Sequence, residues 1–252
     1  MGRLKRFFEL SLSLAKAEFK LRNEGSFFGI FWYLLNPLLF FILLFFIFFD
    51  RLGQDIESYG LYLLLGIIMF NLFQAVTIES TRSIRDHRYI IKSINFPRES
   101  LIFSSTLKFL LLHIFEAVIF ILFILFFRGN LMNLVFYPMI LLFFFLFIFG
   151  FSLILSALVI YFADLENIWI FASRLLWFGT PIFYSFETGS LLFFINLFNP
   201  MYYFISAARD LVIYNKIPES WMIICGIGYS LIFLIIGLFI FYKLKNKFAE
   251  MI

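Results

Sequence analysis

Long apolar runs constrain this chain more than any other feature. Six of them, at 30–49, 61–78, 101–127, 131–162, 168–184 and 221–242, reach the minimum of roughly 17 residues that a helix needs to cross a bilayer. Lipid offers the backbone no hydrogen bonds, so such runs must fold as helices that satisfy themselves. The expected fold is therefore all-α and integral to a membrane, a single domain over 1–252 with six transmembrane helices. A soluble globule of this composition lacks material for its surface. Of 252 residues 63% are hydrophobic and 42 are Phe, whereas soluble domains sit near 45–50% apolar. The third and fourth runs are long enough to tilt or to project past the lipid.

The charges between the runs orient them. The N-terminal segment holds Arg3, Lys5, Arg6, Lys16, Lys20 and Arg22. The gap after the second run holds Arg82, Arg85, Arg88, Lys92 and Arg98, and the C-terminal tail holds Lys243, Lys245 and Lys247. The alternate gaps carry only Arg51, Arg128, and Arg209 with Lys216. The excess of Lys and Arg on one side places both termini in the cytoplasm. The fourth gap, with Asp164 and Glu166 and no basic residue, falls on that side by topology alone. Glu9, Lys16, Glu18 and Lys20 interrupt the first apolar stretch, so no cleaved secretory signal is expected and the spans act as their own targeting signals.

Three segments are neither spans nor plain loops. Within 1–25, residues 4–22 place Leu4, Phe7, Phe8, Ala15 and Phe19 on one helical face and Lys5, Arg6, Glu9, Lys16 and Lys20 on the other. That pattern fits an amphipathic helix in the membrane interface, or a cytosolic helix packed on a partner. In 82–95, Ile84, His87, Ile91 and Ile94 share a face, and Pro97 ends the segment. It reads as a short cytoplasmic helix, or as a solvated basic loop that only sets topology. The third, 185–200, has an apolar core too short to span, between Pro181 and Asn199-Pro200. An external re-entrant or interfacial segment is expected there, buried in protein or lining a cavity.

No Gly-x-x-x-x-Gly-Lys-Ser/Thr loop, His-Glu-x-x-His pair or Gly-x-Ser-x-Gly elbow occurs. His87 and His113 are the only histidines and Cys225 the only cysteine, so no catalytic residues, no metal site and no cofactor are expected in this chain. Lys108, His113 and Glu116 lie in the third run and Arg174 in the fifth. A charge at a helix centre costs about 2.5–3.5 kcal/mol on insertion scales, so each should find a partner. His113 and Glu116, three apart, can pair on one face. The pair reads as a proton or ion relay, or as structural lining of a wet cavity. Aromatic rings near span ends form interfacial belts, and Trp32, Tyr33, Trp169 and Trp177 are alternatively candidates to line a channel. Flat rings bind the C–H faces of sugars without strong single sites.

Four strings together resemble the permease subunit of ABC-2 type polysaccharide exporters, the class of O-antigen and teichoic-acid exporters. Ser26-Phe27-Phe28-Gly29-Ile30-Phe31-Trp32-Tyr33-Leu34-Leu35-Asn36-Pro37 is similar to the family pattern Ser-x-Leu-Gly-x-x-Trp-x-x-Leu-x-Pro, with Phe28 for Leu. Phe96-Pro97-Arg98-Glu99 matches the lead into the third span, with Ile102 where a Pro is common. Tyr161-Phe162-Ala163-Asp164-Leu165 resembles Tyr-Phe-Arg-Asp-Leu, with Ala163 for Arg. Thr180-Pro181-Ile182-Phe183-Tyr184-Ser185 precedes Asn199-Pro200 and Arg209.

The resemblance implies a homodimer bound to two copies of a separate ATP-binding cassette subunit, which holds the ATP and Mg. It implies export of a lipid-linked polysaccharide, such as O antigen, across a bacterial inner membrane, with no nucleic-acid partner. Residues Arg85, Asp86, His87, Arg88, Tyr89 and Ile91 would couple to the ATPase, with Asp164 and Glu166 as a second cytoplasmic contact. Pro181, Tyr184, Phe194, Asn199 and Pro200 would belong to an external gate. Rival readings are an ion-coupled secondary transporter using Glu116 or Lys108, a glycolipid-modifying enzyme using Asp164 with Glu166, and an ABC-2 exporter of a drug or lipid.

Overall fold

The computed structural model describes residues 3–23, 31–93, 96–127, 131–245 and 248. Its elements are α1 (Arg3–Asn23), α2 (Phe31–Phe48), α3 (Tyr59–Asp86), α4 (Arg88–Ser93), α5 (Glu99–Phe126), α6 (Tyr137–Leu158), α7 (Leu165–Gly179), α8 (Leu191–Asn196), α9 (Pro200–Val212) and α10 (Ser220–Leu244). No strand occurs among the described residues. Among the described residues five segments are long and apolar enough to cross a membrane: Leu35–Gly53, Tyr59–Asp86, Glu99–Phe126, Leu134–Leu158 and Ser220–Leu244.

The run at 168–184 departs from the expectation of six full-length transmembrane helices. It folds as α7, only 15 residues or roughly 22 Å long. Pro181 is the cause. It disfavours helical geometry in the residue before it, and Thr180 is extended at φ −85, ψ 139. Contacts with α3 nevertheless show how far this stretch reaches. Glu166, at its start, meets Arg82 and Arg85 near the end of α3. The carbonyls of Phe183 and Tyr184 meet the hydroxyls of Tyr59 and Tyr62 near the start of α3. Helix plus extended tail therefore run antiparallel to α3 over nearly its whole length.

Other boundaries shifted for similar local reasons. The run at 131–162 begins as a 3₁₀ turn, Met132–Phe136, and Pro138 in the first turn of α6 starts the α-helix. α2 continues through Pro37, which forfeits one hydrogen bond to residue 33. The segment 82–95 is not one separate helix. Residues up to Asp86 extend α3, the chain breaks at His87 (φ −96, ψ 19), and α4 follows. Ile94 and Asn95 lie outside the described residues, as do 1–2, 24–30 and Arg128.

α3 is the centre of the bundle. Of its most apolar stretch 78% is buried, against 17% for α2 and for α10, which leave faces to the surroundings. Small hydroxyl residues let its far half pack closely. Thr77, Ser80 and Thr81, and Ser104, Ser105 and Thr106 on α5, are buried and return their hydroxyls to carbonyls of their own helices. α6 and α10 come closer still. A Cβ on Gly150 would lie 2.5 Å from the backbone of Phe233 and Leu234, and one on Gly237 would strike the carbonyl of Gly150.

The basic segments gather at one end. Phe7 and Phe8 of α1 pack edgewise on Phe103, and Ile84, Ile91, Phe96, Phe241 and Phe248 share one apolar cluster. Arg98 donates to the carbonyl of Lys245, and Tyr242 to Glu99 at 2.8 Å. The N-terminal helix, the described residues of 82–98, and Phe241, Tyr242, Lys245 and Phe248 thus close a single face of the molecule.

Candidate functional site

The break at His87 shapes the basic end. Its Nδ1 lies 2.8 Å from the carbonyl of Ser83, and Nε2 lies 3.6 Å from Glu18 on α1. α4 then turns Ile91 inward, 5% exposed, while Asp86, Arg88, Tyr89, Ile90 and Lys92 stay exposed. Tyr89 is 71% exposed, and Arg88 lies across its ring at 4.8 Å. The tip is a basic, aromatic knob seated on an apolar root. Beside it, Glu166 at the start of α7 accepts from Arg82 Nε and Arg85 Nη2, both at 2.6 Å. Glu166 thereby ties α7 to α3. Asp164 is exposed.

Deeper in, Lys108 on α5 is 3% exposed and donates to Glu18 of α1 and Glu79 of α3, both at 2.8 Å. Two carboxylates from two other helices meet the desolvation cost of the buried ammonium. His113 Nδ1 lies 3.0 Å from Glu116, and its Nε2 lies 2.8 Å from the hydroxyl of Tyr137 on α6. The pair expected from spacing is therefore present, with a third member from another helix. Arg174 is exposed on α7, with no ion-pair partner among the described residues.

A cleft of about 640 Å³ opens between α2, α3 and α5. Glu79 and Arg82 stand at its basic end, Asn71, Gln74, His113 and Glu116 deeper, and Trp32 and Asn36 on the α2 wall. Half its lining is polar, an unusual wall at membrane depth.

The opposite end is held by Arg209. It sits on α9, 3% exposed, with Nη1 2.6 Å from the carbonyl of Pro181 and Nη2 2.9 Å from that of Ile182. Its Nε and Nη2 also donate to the carbonyl of Tyr62, at 3.2 and 3.0 Å, and the guanidinium lies 3.3 Å from the Tyr62 ring centroid. The extended backbone after α7 would otherwise leave carbonyls unpaired in an apolar setting. A planar fork with five N–H groups can serve several of them at once. Gly66 makes room, since a Cβ there would lie 2.6 Å from Arg209 Nη2. Asn199 donates to Thr180 at 2.8 Å and caps α9 by accepting from the N–H of Met201 at 3.0 Å, with Pro200 opening the helix. Tyr184 donates to the carbonyl of Gly179 at 2.9 Å. Phe194 is exposed on α8.

The four channel candidates separate in space. Trp32 lines the cleft. Trp169 packs against Phe73 and Phe151, and Trp177, 7% exposed, against Phe40 and Phe183. The side chain of Tyr33 lies outside the described residues. Sequence reasoning missed the bonding of Arg209, the partners of Lys108 and the amides of Asn36 and Asn71. A polar residue inside an apolar run was the only available signal for the last two.

A family profile described as ABC-2 type transporter matches residues 9–213. The chain is 32% identical to an O-antigen export system permease protein, RfbA, of Klebsiella pneumoniae, over 97% of this chain and 95% of the relative. It is 30% identical to a second such protein from the same organism, again over 97% and 95%. A namesake in Myxococcus xanthus is 24% identical over 96% of this chain and 95% of the relative.

Proposed function

The chain belongs to the ABC-2 type transporter family, and from that premise we propose that it is the transmembrane subunit of an ATP-driven exporter of a lipid-linked polysaccharide, O antigen, across a bacterial inner membrane. The observation that carries this reading is its near full-length similarity to O-antigen export permeases. Two copies form the channel and bind two copies of a separate ATP-binding subunit, where ATP and Mg act. The chain itself catalyses nothing. The basic end faces the cytoplasm with both termini, and α7 with its extended tail makes the sixth crossing.

Energy enters at the knob of α4. Its exposed Arg88, Tyr89 and Ile90 offer a surface to the ATPase, and its buried Ile91 ties the knob to the bundle. Movement passes to α3, which is continuous with this end, and through the Glu166 clamp to α7. α7 ends at the backbone that Arg209 holds, so a push at one end shifts the gate formed by 180–200 and α9. The sugar chain moves along aromatic and polar walls, with Trp32 among the contacts.

The reading is tested in cells that make the polymer but lack their own permease, with the ATP-binding partner co-expressed. The chain should restore surface polysaccharide. Arg88→Glu combined with Tyr89→Ala should abolish it while the dimer persists; normal export by that variant would end the coupling role. Transport by the purified chain under a proton gradient, with no ATPase present, would replace this reading with ion coupling.

A further inference from the structure

The cleft between α2, α3 and α5 has committed nearly all its charge. Glu79 engages Lys108, Arg82 engages Glu166, and His113 engages Glu116. Gln74 donates to Ser173 of α7 at 3.1 Å. Two polar groups remain. The amides of Asn36 and Asn71 face the cleft, and neither has a hydrogen-bond partner among the described residues. Each offers two donors and one acceptor oxygen. At membrane depth such groups need a polar occupant.

We propose that this cleft is a binding subsite for a neutral, hydroxyl-rich sugar unit of the transported chain. The inference rests on the exporter reading and adds to it a location and a chemistry. The cleft volume of about 640 Å³ fits a small-molecule site, which runs from about 300 to 1,000 Å³. An anionic headgroup is disfavoured, because the carboxylates of Glu79 and Glu116 line the wall and the nearby cations are already paired. An acyl chain would leave the amides unsatisfied. A sugar ring meets both demands. Its hydroxyls donate to and accept from Asn36 and Asn71, and its C–H face lies on the half-exposed indole of Trp32. Because the charged groups are already engaged with one another, the subsite holds a unit by hydrogen bonds that are readily exchanged for those of the next unit.

The test places a photo-reactive amino acid at Ile78 on the cleft wall and, as control, at Phe126, which is 81% exposed at the far end of α5. Cells make the polymer and carry the ATP-binding partner. Illumination should give a polysaccharide-bearing adduct at position 78 and none at 126. Asn36→Leu and Asn71→Leu should each lower the adduct at least about tenfold, equivalent to about 1.4 kcal/mol. Asn71→Gln, which keeps an amide, should retain most of it, and thermal unfolding of each purified variant checks folding. Equal adducts in the Leu variants, or adducts with phospholipid alone, overturn the subsite while leaving the exporter reading intact. Absence of surface polymer in cells carrying the unmodified chain overturns the exporter reading and the subsite together.

Discussion

Single residues set the limits of this structure where charge meets lipid. Arg209 bonds three carbonyls from two separated segments, and removing it strands them together. Arg209→Met should cost about 3–5 kcal/mol, read as a lowered unfolding temperature in detergent, since breaking a buried charged network is among the largest single effects. Arg209→Lys should recover only part, because one ammonium cannot reproduce the fork. Lys108 poses the complementary case. Lys108→Met alone leaves Glu18 and Glu79 facing each other and should cost about 3 kcal/mol. Adding Glu18→Gln and Glu79→Gln should restore most of that loss. If the triple variant is no better than the single one, the ion pairs are not the reason Lys108 is tolerated. The sequence marked Lys108 as needing a partner. It did not name Glu18 and Glu79, because neither lies within hydrogen-bond spacing on the same helix.

Among the helices, the two informative relations are α6 with α10 and α3 with α7. The first is a backbone contact permitted only by glycine. Gly237→Ala should force the helices apart and cost about 1–3 kcal/mol, the usual range for overpacking, again read from thermal unfolding. The second is an ion clamp of modest strength. Arg82 and Arg85 are 48% and 39% exposed, so each pair is worth only about 1 kcal/mol or less. Glu166→Gln should therefore leave the amount of folded protein unchanged, yet uncouple α7 from α3 and reduce surface polysaccharide. Both relations join residues more than 80 positions apart. Helix existence was legible from hydrophobicity, but the pairing of helices was not, because a Phe-rich face suits many neighbours.

For the molecule as a whole, the central question is which end faces which compartment. The basic segments converge at one end, and the broken backbone after α7 lies at the other. With Cys225→Ala as background, Tyr89→Cys should react with a membrane-impermeant maleimide only after lysis. Phe198→Cys, at a position 83% exposed on the opposite end, should react in cells with only the outer membrane permeabilised. The reverse pattern would invert the topology and the proposed direction of coupling.

The sequence by itself determined the membrane, the helical class and the family. All three follow from long-range composition and local strings, which survive without knowledge of contacts. The breaks were less legible: the apolar run continues through Pro181 to Tyr184 although α7 ends at Gly179, and α3 carries on past Ile78 to Asp86 before the chain breaks at His87. Tertiary structure alone decided what satisfies each buried polar group. Arg209 reaches back to Tyr62, Glu18 reaches Lys108, and Asn36 and Asn71 come to share one cleft. The physical reason is that a charge or amide in lipid specifies only that it needs a partner. Which helix brings that partner depends on packing, and packing is a property of the folded bundle.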